Sequence, residues 1–145
     1  MMLVYLNICC FNRPFDDQTQ LRVRLESEAK LAIQEQIRTG NIQLAWSYIM
    51  DFENFANPFL ERRINTSNWK KHAVTDIRAT PEIISSALQL QKLGVKKIDS
   101  LHLSCATAAN CKIFLTTDRG ILKRRQQITN IAILNPIDYI LQDDD

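Results

Sequence analysis

Four short apolar segments, separated by helical patterns, constrain the fold of this chain more than any other feature. The segments are VYL near the N-terminus, IQLAW from residue 42, KIFLTT from residue 112 and IAILN from residue 131. Each is a nearly continuous apolar run, which is typical of strands buried on both faces of a parallel sheet. The sequence therefore predicts a three-layer α/β/α sandwich around a central, mainly parallel sheet.

Helical spacing of apolar residues fills the intervals between these segments. Helices are predicted from Asp17 to Thr39, after a capping Ser47, from Phe59 to about Val74, from Thr80 to Gly94, from Asp99 onward and around Ile121 to Arg125. Gly40 and Gly94 are placed to end two of them. A turn at Asn12-Arg13-Pro14 is expected to end the first element.

Composition indicates one soluble, folded domain covering residues 1–145. Apolar residues make up 46% of the chain and charged residues 23%, which is ordinary for a globular protein. No apolar run approaches the roughly 18 to 20 residues that cross a bilayer, and the N-terminus lacks the features of a signal peptide, so we expect a cytoplasmic protein. Cys9, Cys10, Cys105 and Cys111 form no CxxC pair. They are expected to be buried free thiols.

Charge and glycine content exclude some kinds of binding site. The net charge is only +2, and the basic clusters at residues 62–63, 70–72, 96–97 and 123–125 do not by themselves define a nucleic-acid surface. Such clusters usually belong to solvated helix faces. The chain has three glycines, and it lacks the GxGxxG and GxxxxGK[ST] loops that cradle phosphates.

Polar residues that follow the predicted strands are candidates for a functional site, because ligand sites of open parallel sheets collect at the carboxyl ends of the strands. Asn7 follows VYL, Glu53 lies in the helix after IQLAW, Asp118 follows KIFLTT, and Asp99 begins the helix before that strand. Taken singly, a carboxylate at a helix start can be explained as a cap. Taken together, acids on separate elements would repel one another unless a cation joined them.

These segments resemble the PIN domain family, which includes the VapC-type toxins of bacterial toxin–antitoxin pairs, along essentially the whole chain. The matching motifs are VYLN, SYIMDFENFANP with Glu53, KKIDSLHLSCA with Asp99 and FLTTDRGILK with Asp118. KKIDSLHLSCA followed by FLTTD is the most specific part. ILNPIDYI is similar to the closing strand and terminal segment of the family. The resemblance implies a PIN-like fold over residues 1–145.

The resemblance also implies an activity, that of a metal-dependent endoribonuclease that hydrolyses RNA phosphodiester bonds. In such enzymes acidic residues hold one or two Mg²⁺ or Mn²⁺ ions, and hard oxygen ligands suit these hard cations. Carried over to this chain, Glu53, Asp99 and Asp118 would bind metal or orient metal-bound water. Thr116 matches a family hydroxyl that could hydrogen-bond a carboxylate or a bound water.

Asn7 departs from the family pattern, which places aspartate after the first strand and commonly threonine or serine next, where this chain has Ile8. An amide oxygen can still bind a cation, but the site then has three carboxylates instead of four. If the change removes about 3 to 4 kcal/mol of transition-state stabilisation, cleavage slows roughly 10²- to 10³-fold. The alternative is a PIN-fold module that no longer cleaves and binds RNA or a protein partner. Natural divergence and a substitution introduced against toxicity are both open.

Basic residues near the predicted acids are candidate RNA contacts. Arg13, Arg119, Lys123 and Arg124 border the strands that carry Asn7 and Asp118, although solvation and interaction with helix dipoles explain them equally well. The family resemblance adds a small antitoxin partner and a homodimer to the expected partners. A dimer face could draw on Phe52, Phe55 and Phe59, although such aromatic residues are more often buried in the core.

Two further features near the predicted site receive structural explanations. His102 lies three residues after Asp99, which makes a carboxylate–histidine pair available, but its apolar neighbours Leu101 and Leu103 favour a helix-packing role. The adjacent Cys9 and Cys10 have no evident basic partner, so a thiol nucleophile is not expected. A generic α/β domain without metal chemistry would require the ordered match of the three acids to be accidental.

Overall fold

A five-stranded, entirely parallel sheet lies at the centre of the molecule, whose residues 1–143 are described by a computed structural model. Within these residues the strands are β1 (Leu3–Leu6), β2 (Gln43–Ser47), β3 (Ala73–Ile77), β4 (Ile113–Leu115) and β5 (Ala132–Leu134). Their order across the sheet is β3-β2-β1-β4-β5. β1 is therefore central, with Tyr5 paired to Ala45 on one side and to Phe114 on the other.

Helices follow the strands and connect them. Residues 1–143 contain α1 (Ile8–Asn12), α2 (Leu21–Arg38), α3 (Tyr48–Phe55), α4 (Leu60–Lys70), α5 (Pro81–Lys92), α6 (Lys97–Ala108), α7 (Arg119–Leu122) and α8 (Pro136–Asp143). α2 packs against α8, α5 packs against α6, and α3 contacts both α4 and α6. No helix in this part of the chain is long and apolar enough to cross a membrane.

The inner strands β1, β2 and β4 are buried on both faces. Val4, Tyr5 and Leu6 are at most 1% exposed, and all three residues of β4 are buried. Alternate side chains of a strand point to opposite faces, so burial of successive residues requires helices on both sides of the sheet. This confirms the predicted three-layer α/β/α architecture.

Several predicted helix boundaries are confirmed by their capping contacts. The Ser47 hydroxyl accepts a hydrogen bond from the Met50 N–H at 3.2 Å and begins α3. The Thr80 hydroxyl accepts one from the Ile83 N–H at 3.2 Å, with proline at the first helical position of α5. Gly94 follows α5 with φ of +93°, a left-handed conformation that glycine adopts without strain.

Several predicted boundaries are wrong. The helix expected up to Val74 ends at Lys70, and Ala73–Ile77 forms the edge strand β3. Partly buried and exposed residues alternate along β3, so the strand does not form a continuous apolar run. The long helix begins at Leu21 instead of Asp17, because Asp17 accepts hydrogen bonds from Thr19 in a local turn. Residues 8–12, expected to lead into a turn, form α1.

A buried ion-pair network joins the segment after α1 to α2. The Glu26 carboxylate has no exposed surface and accepts a hydrogen bond from Nε of Arg13 at 2.9 Å. Arg13 also pairs with Asp16 at 2.9 Å, and Asp16 pairs with Arg62 of α4 at 3.1 Å. The guanidinium of Arg13 is thus engaged in fixing the fold, and its assignment as an RNA contact stays a prediction.

The surface of α3 and the following loop is unusually apolar. Phe52, Phe55 and Phe59 are 61%, 83% and 58% exposed, so they are not core residues. Leu60 and Ile64 of α4 are exposed beside them, and Phe55, Leu60 and Ile64 line one surface pocket. Large exposed apolar patches on soluble domains commonly mark interaction surfaces.

Candidate active site

The order of the strands creates a crevice at the carboxyl edge of the sheet. From the central β1 the chain moves outward through β2 and β3 on one side, and then through β4 and β5 on the other. The switch of direction between β1 and β4 is where open α/β sheets bind ligands. Asn7 directly follows β1 and donates its backbone N–H to the Leu115 carbonyl at 2.9 Å, while Asp118 follows β4. Asn7 and Asp118 therefore lie at the carboxyl edge of neighbouring strands.

Asn7 caps the first turn of α1. Its Oδ1 accepts a hydrogen bond from the Cys9 N–H at 3.4 Å, and the residue is only 4% exposed. Its Nδ2 is buried and has no hydrogen-bond partner among residues 1–143. The oxygen that could bind a cation is thus turned toward the helix, and the amide nitrogen, which can only donate, has no acceptor.

Asp118 caps α7 with one carboxylate oxygen. Its Oδ1 accepts hydrogen bonds from the N–H groups of Gly120 at 2.7 Å and Ile121 at 3.2 Å. Its own backbone N–H donates to Oγ1 of Thr116, a fully buried residue, at 3.0 Å. Thr116 therefore shapes the turn that presents Asp118, and Oδ2 of Asp118 is the oxygen not used in this cap.

Asp99 lies in the first turn of α6, and the charges of both other acids affect its pKa. Its pKa is raised to about 6, mainly by burial, and then by the negative charges of Asp118 and Glu53. His102 and Lys96 act in the opposite direction. Repulsion of one carboxylate by two others indicates that the three acids, although they come from α3, α6 and α7, share one electrostatic environment.

Glu53 projects from α3 and is held by His102. Its Oε1 lies 2.7 Å from Nε2 of His102, and its side chain is 37% exposed. His102 therefore pairs with Glu53, and not only packs within its helix as the sequence suggested.

Basic residues surround the acids on one side. A pocket of about 140 Å³ is lined by Asp99 and Asp118 together with Lys96, Lys123 and Arg124. Nη1 of Arg124 donates to the Leu93 carbonyl at 3.2 Å. The guanidinium lies against Gly94, where a Cβ would come within 2.9 Å of Nη1. Lys123 and Arg124 thus border the acids as predicted, and Arg119 is exposed at the start of α7.

The donor set suits a hard divalent cation, but it is not closed around one. Carboxylate oxygens are the ligands that Mg²⁺ and Mn²⁺ prefer. No three His, Cys, Asp or Glu side chains within residues 1–143 already stand at the spacing of a metal site. Asp99 and Asp118 in the shared pocket are the acids nearest to such a site, and a bound cation would counter the repulsion that, after burial, raises the pKa of Asp99.

Cys9 is a partly exposed residue beside this site. Its Sγ lies 3.4 Å from Oγ1 of Thr116 and accepts a hydrogen bond from the Thr117 N–H at 3.4 Å. A hydrogen bond from Cys10, together with those from Thr116 and Thr117, lowers the pKa of Cys9 to about 7 against the opposing effect of burial. All four cysteines are free, and the other three are buried.

Sequence reasoning missed two features of the site. The first is Lys96, which lines the pocket with Asp99 and Asp118. Nothing in the sequence distinguished it from its neighbour Lys97. The link from His102 to Tyr5, whose hydroxyl lies 2.6 Å from Nδ1, joins residues 97 positions apart. A tyrosine in an otherwise aliphatic strand was the available signal, because a buried phenol requires a hydrogen-bond partner.

Two solved structures share this fold. The first is VapBC2 from Rickettsia felis, described as bound to a DNA fragment from their promoter, with a TM-score of 0.55 and 16% identity over 92% of this chain and 98% of that chain. The second is VapBC-1 from nontypeable Haemophilus influenzae, with a TM-score of 0.55 and 16% identity over 93% and 98% of the two chains. These likenesses confirm the PIN-like fold.

No protein-family model matches the sequence, and no curated protein matches it significantly. At 16% identity the solved structures establish the fold of the chain and leave its activity to be argued from the site.

Proposed function

We propose that this chain is a divalent-metal-dependent endoribonuclease of the PIN type, a single domain over residues 1–145 that hydrolyses RNA phosphodiester bonds in the cytoplasm. The observation that carries the proposal is that Asp99 and Asp118 line one pocket at the switch point of a PIN-type sheet, where burial and the charges of Asp118 and Glu53 raise the pKa of Asp99. Neighbouring carboxylates in a partly buried pocket are costly for a fold unless a cation neutralises them.

Each site residue has a stated role in this proposal. Asp99, Asp118 and Glu53 would hold one or two Mg²⁺ or Mn²⁺ ions, and Asn7 would contribute its amide oxygen after turning away from the α1 cap. Bound ions would supply an activated water and stabilise negative charge on the phosphate. Thr116 keeps the Asp118 turn in place through its hydrogen bond to the Asp118 N–H.

Cations beside the acids support an RNA substrate. Lys123 and Arg124, with Lys96, line the same pocket as Asp99 and Asp118, so a phosphate placed there would meet positive charge beside the metal ligands. Arg119 is exposed next to them, and Arg13 would contribute only if it left its pairs with Glu26 and Asp16.

The fold relatives support a toxin-like role with protein partners. The two similar structures are VapBC assemblies, so we propose a small antitoxin as a partner of this chain. The exposed Phe52, Phe55 and Phe59 are proposed as the face of a homodimer. Sedimentation should show a dimer that Phe55→Asp converts to monomers, whereas Leu31→Asp, on the exposed part of α2, leaves it intact.

A cleavage assay tests the activity. Labelled single-stranded and structured RNAs are incubated with the protein over a range of Mn²⁺ and Mg²⁺ concentrations. Cleavage should require the metal and should be lost in Asp99→Asn and Asp118→Asn. Glu82→Gln is the matched control, because Glu82 is an exposed acid in the first turn of α5 and lies outside the pocket. Cleavage that survives Asp99→Asn would refute the metal-site assignment.

Asn7 favours a second candidate function, that of a PIN-fold module that binds RNA or a protein without cleaving. Its amide oxygen is occupied at the α1 cap, and its buried Nδ2 has no partner among residues 1–143. In this case the wild-type chain should bind RNA without cutting it at any metal concentration. Cleavage by the wild-type chain that disappears in Asp99→Asn would exclude this second function.

A further inference from the structure

The ring of His102 connects the proposed metal site to the core of the protein. His102 has no exposed surface, and both ring nitrogens lie within hydrogen-bond distance of a partner. Nε2 is 2.7 Å from Oε1 of Glu53, and Nδ1 is 2.6 Å from the hydroxyl of Tyr5. Glu53 belongs to α3, His102 to α6 and Tyr5 to β1. The buried imidazole of α6 therefore links β1 to α3, and its partner on α3 is a carboxylate at the site.

Tyr5 is itself fixed on both sides. Its hydroxyl lies 2.7 Å from Oγ of Ser47, which in turn accepts the Met50 N–H as the cap of α3. Its ring stacks on Phe114 with a centroid distance of 5.2 Å and an interplanar angle of 10°. The Tyr5 ring also meets the His102 ring edge-on at 5.7 Å. The phenol cannot move without disturbing the centre of the sheet.

The direction of each hydrogen bond in this network follows from its two terminal groups, the Met50 N–H and the Glu53 carboxylate. An ionised carboxylate only accepts, so Nε2 of His102 carries a proton and donates to Glu53. In that tautomer Nδ1 accepts from the Tyr5 hydroxyl, and burial raises the pKa of Tyr5 well above its ordinary value, so the phenol keeps its proton. The Ser47 hydroxyl donates to Tyr5 and accepts from Met50. Each donor therefore has an acceptor when the chain of bonds runs from Met50 to Glu53.

We infer that His102 is a positioning residue, which Tyr5 and Ser47 lock in one tautomer and orientation so that the Glu53 carboxylate is held in one rotamer for metal binding. This inference rests on the proposed function, because it takes Glu53 to be a metal ligand. A glutamate on a surface helix has several rotamers, and holding one of them reduces the entropy that is lost when an ion binds. Mutation of a residue that orients a metal ligand typically lowers metal affinity by about 10- to 100-fold.

Packing alone does not account for this arrangement. If the only role of His102 were to fill space beneath α3, an aliphatic side chain would fill it without the cost of burying two polar ring nitrogens. Here both nitrogens are paired, and the outer partner is a carboxylate at the candidate site instead of another core group. The series of hydrogen bonds from Tyr5 through His102 therefore ends at Glu53, which is a proposed metal ligand.

Metal affinity, measured without any substrate, tests the inference. Mn²⁺ binding is followed by electron paramagnetic resonance for the wild type, Tyr5→Phe, His102→Gln, His102→Ala and Glu53→Gln. Tyr5→Phe and His102→Ala should each weaken binding about tenfold. His102→Gln should restore part of the loss, because its amide can donate to Glu53. Tyr48→Phe is the matched control, since the Tyr48 hydroxyl is buried without a partner among residues 1–143, and it should leave Mn²⁺ affinity unchanged.

A double-mutant cycle separates positioning from a structural effect. If Tyr5 and His102 act through Glu53, Tyr5→Phe should have no further effect on Mn²⁺ affinity in the Glu53→Gln protein. Additive losses would overturn the inference while leaving the metal site intact. Unchanged Mn²⁺ affinity in Glu53→Gln would overturn both the inference and the role of Glu53 in the proposed function.

The wild-type protein gives an independent check if the variants fold poorly. Nitrogen-15 chemical shifts of the His102 ring should show Nε2 protonated, as the bond to Glu53 requires. An unprotonated Nε2 would overturn the inference, because the ring could then not donate to the Glu53 carboxylate.

Discussion

Asp99 and Asp118 line one pocket, where burial and then the negative charge of Asp118 raise the pKa of Asp99 to about 6. The relationship is one of mutual repulsion between side chains carried by different helices. In the absence of a cation, the ionised form of this pair opposes folding. The acids of the candidate site are therefore expected to lower the stability of the metal-free protein and to raise its affinity for a metal ion.

Asp99→Asn should stabilise the metal-free protein at neutral pH. Because the folded pKa of about 6 lies above the ordinary value of 3.8, the folded state holds the proton more tightly, and the stability contributed by this group falls as pH rises from about 4 to about 6. At pH 7.5 the variant should gain about 1 to 2 kcal/mol after allowance for partial solvent exposure. Urea unfolding at pH 4 and pH 7.5 measures this, and the gain should vanish at pH 4.

Divalent cations should reverse this order of stability. Excess Mn²⁺ is expected to raise the melting temperature of the wild type and to leave that of Asp99→Asn unchanged, because binding to the folded state alone stabilises it. Equal metal-induced shifts in the two proteins would contradict the assignment of Asp99 as a ligand.

Asn7→Asp should strengthen the metal site. The substitution replaces an unpaired buried Nδ2 by a second oxygen and adds the fourth carboxylate of the family pattern. Cleavage should rise about 10²- to 10³-fold at a fixed Mg²⁺ concentration. Without metal the variant should melt at a lower temperature than the wild type, because another negative charge joins the site.

Asn7→Ala is the control for this prediction, since it removes the cap of α1 without adding charge. It should lower stability and leave metal affinity no higher than in the wild type. A rise in cleavage with Asn7→Ala equal to that with Asn7→Asp would show that charge is not the cause.

Arg13→Gln should destabilise the protein more than Glu26→Gln does. Loss of the guanidinium leaves the fully buried Glu26 carboxylate with only the half-exposed Arg22 at 3.4 Å, besides its neutral partner Asn135. We expect a cost of about 2 to 3 kcal/mol in urea unfolding, near the lower end for a broken buried pair. Glu26→Gln should cost about 1 kcal/mol, because Arg13 keeps Asp16 and is partly solvated.

Arg38→Gln is the control for the ion-pair prediction. Arg38 pairs with Glu35 on the exposed surface of α2, where such pairs contribute little. Equal losses in Arg13→Gln and Arg38→Gln would show that burial of Glu26 does not matter to stability.

Cys9 should be the first cysteine to react with an alkylating reagent. Its pKa of about 7 makes it largely thiolate at pH 8, whereas burial raises the pKa of Cys105 to about 11 and of Cys111 to about 12. Alkylation by iodoacetamide should increase through pH 7 and appear on Cys9 in peptide mass spectra. Cys9→Ser should remove this fast phase, and preferential labelling of Cys111 would contradict the prediction.

The central strands could be predicted because they are buried on both faces. β1, β2 and β4 coincide with three continuous apolar runs, because burial on two sides requires apolar residues at successive positions. β5 is an edge strand, but it is also apolar throughout and was predicted for that reason. β3 was missed because it is an edge strand with alternating exposure, a weak pattern that followed directly on a helix. The resemblance to a known family then supplied the order of the acids, which composition could not.

The sequence by itself determined that this chain forms a parallel α/β sheet and that Asn7, Glu53, Asp99 and Asp118 follow elements that can meet at one edge of it. Those statements depend on local patterns and on their order along the chain. Only the tertiary structure decided that Glu53 is bonded to His102, 49 positions away, and that His102 is bonded to Tyr5, 97 positions away. It also paired Arg13 with the buried Glu26, a contact that sequence position alone did not suggest. The physical reason is that a side chain takes the partners its buried surroundings offer, and those surroundings come from residues remote in sequence.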